Sequence, residues 1–159
     1  MLKYVGPLIV VENIARSRHF YEDILGQKVE IDFGPNVSFV GNFSIHLKSH
    51  FQELLGGAAR VPVTKKAHNG ELYFEADEIE AVYQDLKQAG VEFIHGIQEQ
   101  PWGQRVIRFY DPDGYVIESG ETMEAAVGRL HRQGMTIEQV QAKTGMPIEF
   151  VQHVLKPTG

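Results

Sequence analysis

The side chains on offer limit what chemistry this chain of 159 residues can do. It has no cysteine, which removes thiol nucleophiles, Cys-type zinc sites and disulfides together. Imidazole, carboxylate, guanidinium and aromatic groups are left. In the run 43–49, Phe43, Ile45 and Leu47 alternate with Ser44, His46 and Lys48. The His46 ring can hold a metal or move a proton, although a single histidine on a strand is more often part of a polar face. In the run 71–76, Glu71, Tyr73 and Glu75 alternate with Leu72, Phe74 and Ala76. Glu71 can serve as a ligand or a base, or pair with Arg105 or Arg108. Glu118 sits at the end of another strand-like run, as a ligand, a base or a carboxylate facing water. Arg108 can hold an anionic substrate or be a solvated strand charge. Trp102, in Pro101-Trp102-Gly103-Gln104, can be a platform or lid for a substrate, or a packing plug. His50, His68 and His95 have no ligand spacing with one another and read as ordinary polar residues.

The elements that must position these groups come in a repeating order. A β-branched run at 3–11 predicts a strand, and Asn13 caps a helix over 14–25. Strands follow at 28–33, 37–41 and 43–49, with a short helix or turn at 50–56. The stretch 57–69 (GAARVPVTKKAHN) is small, polar and without period, and reads as a linker. The order then recurs: strand 71–76, helix 78–89, and strands 91–97, 104–110 and 115–119. Val11-Glu12-Asn13-Ile14 corresponds in class to Ala76-Asp77-Glu78-Ile79, and Tyr21-Glu22-Asp23-Ile24 to Tyr83-Gln84-Asp85-Leu86. The plan is therefore βαβββ, linker, βαβββ. One face of each sheet is apolar, for a helix, and the other is polar or mixed, as a small-molecule site requires.

This plan, with Ser17-Arg18-His19-Phe20-Tyr21 on the first helix and FYDPDGYVIE at 109–118, resembles the vicinal-oxygen-chelate superfamily of glyoxalases, bleomycin-resistance proteins and dioxygenases. The resemblance covers residues 1–121 as two modules, 1–56 and 70–121. It implies an α+β fold whose paired βαβββ modules form a curved mixed sheet, a cup, and it implies a homodimer. The ligand positions of that family fall here on Gly6, His46, Glu71 and Glu118. Gly6 offers no side chain. The other three would hold a divalent metal ion, with Glu118 or Glu71 also acting as the catalytic base, and Trp102, Arg108 and Tyr73 would touch the substrate. The first functional expectation is thus a metal-dependent lyase or isomerase acting on a small oxygenated substrate. The second is a metal-free binding protein of the bleomycin-resistance kind, which the empty position at Gly6 favours.

Residues 122–159 stand outside the repeat and predict a helical tail, with helices at 123–132, about 137–143 and from Pro147 to about 155. Thr136 and Gln139 have the spacing of a capping box. The helix–turn–helix order suggests a ligand-responsive regulator as a third expectation. Charge argues against it: Arg129, Arg132, Lys143 and Lys156 barely outnumber Glu124, Glu138 and Glu149, and the last helix has no arginine or lysine. The tail is expected to be accessory. The whole chain has a formal net charge of −6, which repels phosphate backbones, so nucleic acid is not an expected partner. The amino terminus does not read as a signal peptide, no run is long and apolar enough for a membrane span, and the lack of cysteine fits the cytoplasm.

Overall fold

The computed structural model describes residues 2–57 and 62–156. The chain falls into two compact units, one of Met1–Gly70 with Asp111–Tyr115, the other of Glu71–Tyr110 with Val116–Gly159. Part of the expected linker, 58–61, lies outside the described residues.

In unit 1, β1 runs only over Leu8–Val11. The strand expected from residue 3 starts late because Pro7 has no N–H to give a ladder. Asn13 accepts a hydrogen bond from the Arg16 amide at 2.9 Å and opens α1 (Ile14–Arg18). The helix continues as a wider π-type segment, His19–Ile24. Then come β2 (Val29–Asp32), β3 (Asn36–Phe39), β4 (Phe43–Leu47) and α2 (Lys48–Leu54). Lys48 and Ser49, expected in the strand, instead start α2. The sheet order is β1-β4-β3-β2, with β1 parallel to β4 and the other pairs antiparallel.

The core of this unit is aromatic. Phe39 and Phe43 stack at 4.7 Å, and the Tyr21 ring lies 5.3 Å from Phe43 and 5.6 Å from Phe39. Burying each such ring stabilises by roughly 1.5–3 kcal/mol. The Tyr21 hydroxyl donates to Asp111 Oδ2 at 3.0 Å. Asp111 also accepts the backbone N–H groups of Asp113 (2.9 Å) and Tyr115 (2.8 Å), which closes the Asp-Pro-Asp-Gly turn.

Unit 2 repeats the plan with β5 (Glu71–Ala76), α3 (Ile79–Gln88), β6 (Phe93–Glu99), β7 (Arg105–Tyr110) and β8 (Val116–Glu121), in the order β5-β8-β7-β6. Again the first and last strands are parallel and the rest antiparallel. Ile79 and Leu86 of α3 are buried, and Tyr83 meets Phe93 edge-on at 5.0 Å. That leaves Glu71, Tyr73 and Glu75 on the open face, as their alternation predicts.

Thr122 then caps α4 (Met123–Arg132), its hydroxyl accepting the Ala125 N–H at 3.2 Å. The capping box forms at α5 (Ile137–Thr144): Gln139 N–H donates to Thr136 Oγ1 at 3.2 Å, and Thr136 N–H to Gln139 Oε1 at 2.8 Å. Pro147 leads into α6 (Ile148–Val154). Val127, Leu130, Val140 and Val151 make a core for these three helices, with Ile137, Phe150 and Leu155 against it. The fold is α+β, two four-stranded mixed sheets with helices on the C-terminal side. No helix among the described residues is long and apolar enough to cross a membrane.

Candidate functional site

The register of unit 2 decides which groups share its open face. Tyr73 stands beside Glu118, and Glu118 beside Arg108; Glu75 stands beside Gly120. Partners in register point to the same side of a sheet. Arg108 is the hub. Its Nε donates to Glu71 Oε2 at 3.1 Å, and its Nη2 forms an ion pair with Glu118 Oε2. Its Nη1 lies 3.4 Å from His95 Nε2. His95 Nδ1 lies 2.8 Å from the Gly96 carbonyl, which can only accept, so Nδ1 carries the proton and Nε2 receives from arginine. Of the two partners foreseen for Glu71, the sheet selects Arg108. Glu118 is 6% exposed, and its Oε2 is buried without a hydrogen bond, the ion pair being its contact.

A second chain of contacts crosses the same face. Trp102 Nε1 donates to Gln104 Oε1 at 3.0 Å. Gln104 Nε2 donates to the Tyr73 hydroxyl at 2.9 Å and to the Glu121 carbonyl at 2.6 Å. Tyr73 in turn donates to Glu75 Oε1 at 2.9 Å. Burial pushes the Tyr73 phenol above its ordinary range, with Gln104 pulling the other way, so the hydroxyl keeps its proton at neutral pH. The chain can run over β8 only because residue 120 is glycine: a Cβ there would lie 2.8 Å from both the Tyr73 hydroxyl and Gln104 Nε2. Tyr73 and Trp102 remain 49% and 43% exposed, a pair of aromatic surfaces tied at their polar ends.

In unit 1, His46 is buried on β4, facing α2. Its Nε2 lies 2.8 Å from His50 Nδ1, and its Nδ1 lies 3.3 Å from Asn36 Nδ2. Burial, and then the neighbouring His50, hold the His46 imidazole below its ordinary value. Gly6 precedes β1, and a side chain there would strike the Asn42 carbonyl.

Every proposed metal donor is thus engaged within its own unit: His46 by His50 and Asn36, Glu71 and Glu118 by Arg108. Among the described residues no three His, Asp or Glu side chains converge to hold a metal ion. This arrangement does not fit a divalent cation, because a guanidinium already stands at both carboxylates. Sequence reasoning missed His50, His95 and Gln104. The strand period could have put His95 beside β7, but the one-to-one register with Arg108 follows a bulge that no local pattern announces.

The glyoxalase-like domain family matches residues 4–124. The chain belongs to this family, within the vicinal-oxygen-chelate superfamily. Its fold matches a crystal structure of a protein of unknown function from Agrobacterium tumefaciens, 41% identical, with a TM-score of 0.67 over 76% of this chain and 94% of that one. A glyoxalase/bleomycin resistance protein/dioxygenase from Nocardioides, 20% identical, gives a TM-score of 0.60 over 76% and 83% of the two chains, which speaks to fold alone. An uncharacterized protein of Bacillus subtilis (strain 168), YetH, is 25% identical over 119 residues, covering 73% of this chain and 96% of that relative. The family match ends at residue 124 and leaves most of the C-terminal helices uncovered. Family members often bind divalent metals or small ligands and often dimerise.

Proposed function

We propose that this glyoxalase-like protein binds a small molecule without a metal, on the open face of its second sheet, with Tyr73 and Trp102 as the aromatic contacts. The observation behind this reading is Arg108 seated against both Glu71 and Glu118. A divalent ion at those carboxylates would meet a fixed positive charge. Two unit charges 4 Å apart interact by about 4 kcal/mol near a protein surface, and a doubly charged ion by roughly twice that, so the arginine must leave before a metal enters. With its charge answered by two carboxylates, Arg108 orients the face rather than waiting for an anion.

In this reading residues 1–121 bind the ligand and 122–159 are accessory. The protein works as a cytoplasmic homodimer, supported by exposed apolar side chains in unit 1, among them Leu2, Tyr4, Val5 and Phe33. Sedimentation at micromolar concentration checks the dimer.

The metal-dependent lyase or isomerase is the second reading. What favours it is the burial of Glu118, a carboxylate whose charge must be met by a cation, a place that Arg108 fills here and that a metal ion would take only by displacing it. One experiment separates the two. Elemental analysis of protein purified without chelator, followed by calorimetric titration with zinc, nickel and manganese chlorides, is run on the wild type and on Arg108→Ala. The binding reading expects no stoichiometric metal in the wild type and a gain of metal affinity in Arg108→Ala. A tightly held ion in the wild type, lost in both His46→Ala and Glu118→Ala, overturns it. Quenching of Trp102 by a panel of aromatic and amine fragments then tests the contact face directly.

A further inference from the structure

We infer that helices α4 and α5 form a clamp that sets the position of the Trp102 hairpin, with Arg129 as the positioning residue. As a statement about ligand binding, this rests on the reading of Tyr73 and Trp102 as ligand contacts. As a statement about the hairpin, it stands alone.

The hairpin joins β6 to β7 and is closed by two backbone bonds, Gln100 N–H to the Gln104 carbonyl at 2.7 Å and Gly103 N–H to the Gln100 carbonyl at 2.8 Å. Arg129 of α4 grips it at three levels. Nη1 reaches Glu99 Oε2 at 3.1 Å, where the hairpin begins. Nη2 donates to the Gly103 carbonyl at 2.5 Å, at its turn. Nε and Nη2 hold Glu121 at 2.9–3.2 Å, beneath its far arm. Glu121 in turn accepts the Arg105 backbone N–H at 3.3 Å and its guanidinium at 2.9 Å. Lys143 of α5 adds an ion pair to Glu99 at 2.8 Å.

The helices also press on the turn. Residue 103 has φ +85°, and a Cβ there would lie 2.9 Å from both Leu130 Cδ1 and Lys143 Cε. Only glycine suits that backbone and that approach. Arg129 is 8% exposed and Glu121 1% exposed, so the bonds to Glu121 and to the Gly103 carbonyl are made away from water, where directed hydrogen bonds to charge are strongest, while the Glu99 arm of the grip meets solvent.

A tail held to the sheet only for stability would bury apolar surface and stop there. This one spends a buried arginine on the carbonyl of the residue next to Trp102. From Gly103 the path is continuous: Trp102 to Gln104, Gln104 to Tyr73, Tyr73 to Glu75. The aromatic pair on the open face is therefore positioned from the opposite end by helices that the family match, ending at residue 124, almost wholly omits.

The test uses the full chain without ligand. Trp102 is its one tryptophan, so emission and acrylamide quenching report the hairpin alone. They are measured on Arg129→Met, Arg129→Lys, Glu99→Gln, Lys143→Met and Phe150→Ala under conditions where circular dichroism shows each variant folded. Phe150 packs in the tail core on α6 and controls for simple loosening of the helices. A released hairpin is expected to raise the quenching constant roughly two-fold in Arg129→Met, as local opening exposes the indole. Smaller rises are expected in Glu99→Gln and Lys143→Met, partial restoration in Arg129→Lys, and no change in Phe150→Ala. Unchanged quenching in a folded Arg129→Met overturns the clamp. Should Arg129→Met not fold, unchanged quenching in both Glu99→Gln and Lys143→Met overturns it equally. Because no ligand is present, failure of the clamp and failure of the binding reading are seen separately.

Discussion

Each unit buries two carboxylates, Asp111 and Asp113 in the first and Glu118 and Glu121 in the second, and of these Asp111 and Glu121 meet burial with different partners. Asp111 is answered by neutral donors: the Tyr21 hydroxyl and the N–H groups of its own turn. Burial wins, and its carboxyl is held above the ordinary value. Burial presses on Glu121 as well, but the hydrogen bonds of Arg129 and Arg105 outweigh it and hold that carboxyl below the ordinary value. The strand order is the same in both units. What differs is whether a cation is delivered to these two acids: Glu121 receives Arg105 and, from the tail, Arg129, whereas in unit 1 Arg16 goes to Asp113 and Asp111 has only neutral donors. A neutral cage tolerates a buried charge, whereas a guanidinium cage depends on it.

The sharpest way to break the comparison is to remove one member of each cage. Glu121→Ala takes from Arg129 and Arg105 the buried carboxylate they share, leaving them only the more exposed Glu99 and Glu80, and is expected to cost about 3 kcal/mol in urea unfolding followed by Trp102 emission. In unit 1, Tyr21→Phe removes one neutral donor from Asp111 and is expected to cost about 1–3 kcal/mol. If the two losses were equal, the contrast between cages would be lost.

Acid sharpens the same contrast. The folded Glu121, Glu99 and Glu80 all titrate below the ordinary 4.5. Groups with depressed folded values stabilise above the unfolded value, and that contribution is lost as the pH falls through the folded one. Asp111 runs the other way: raised from 3.8, it burdens the fold at neutral pH, and the burden lifts as the pH falls through its folded value. The Trp102-detected midpoint is therefore expected to fall steadily between about pH 5 and pH 3, and Glu121→Gln to flatten that slope. A slope unchanged in Glu121→Gln removes the guanidinium cage from the explanation.

The smallest effect on stability is expected from Gly120→Ala. The atoms it meets are the ends of Tyr73 and Gln104, which can swing aside. Unfolding should shift by about 1 kcal/mol, the low end for an added methyl, while fragment binding read by Trp102 weakens. Unaltered binding would detach the Tyr73–Gln104–Trp102 chain from the proposed site.

Much of the frame was legible because local rules govern it. Strand 71–76, helix 123–132 and the Thr136–Gln139 box lie where alternation and capping chemistry place them. Strand 115–119 was read two residues short at its end: β8 runs through Glu121, a glutamate that local pattern sends to water and that Arg129 draws inside. His50 reads from the sequence as an ordinary polar residue, yet the helix that starts at Lys48 turns its ring onto His46.

The order of elements, the polar alternation of β5 and the tail helices were determined by the sequence, because period and capping act within a few residues. The pairing of Arg108 with Glu71 and Glu118, and the grip of Arg129 on Gly103 and Glu121, were decided by tertiary structure. Residues as far apart as Glu71 and Arg108 meet only when strand register and helix packing bring them together. The charge state and availability of each group depend on which partners arrive there.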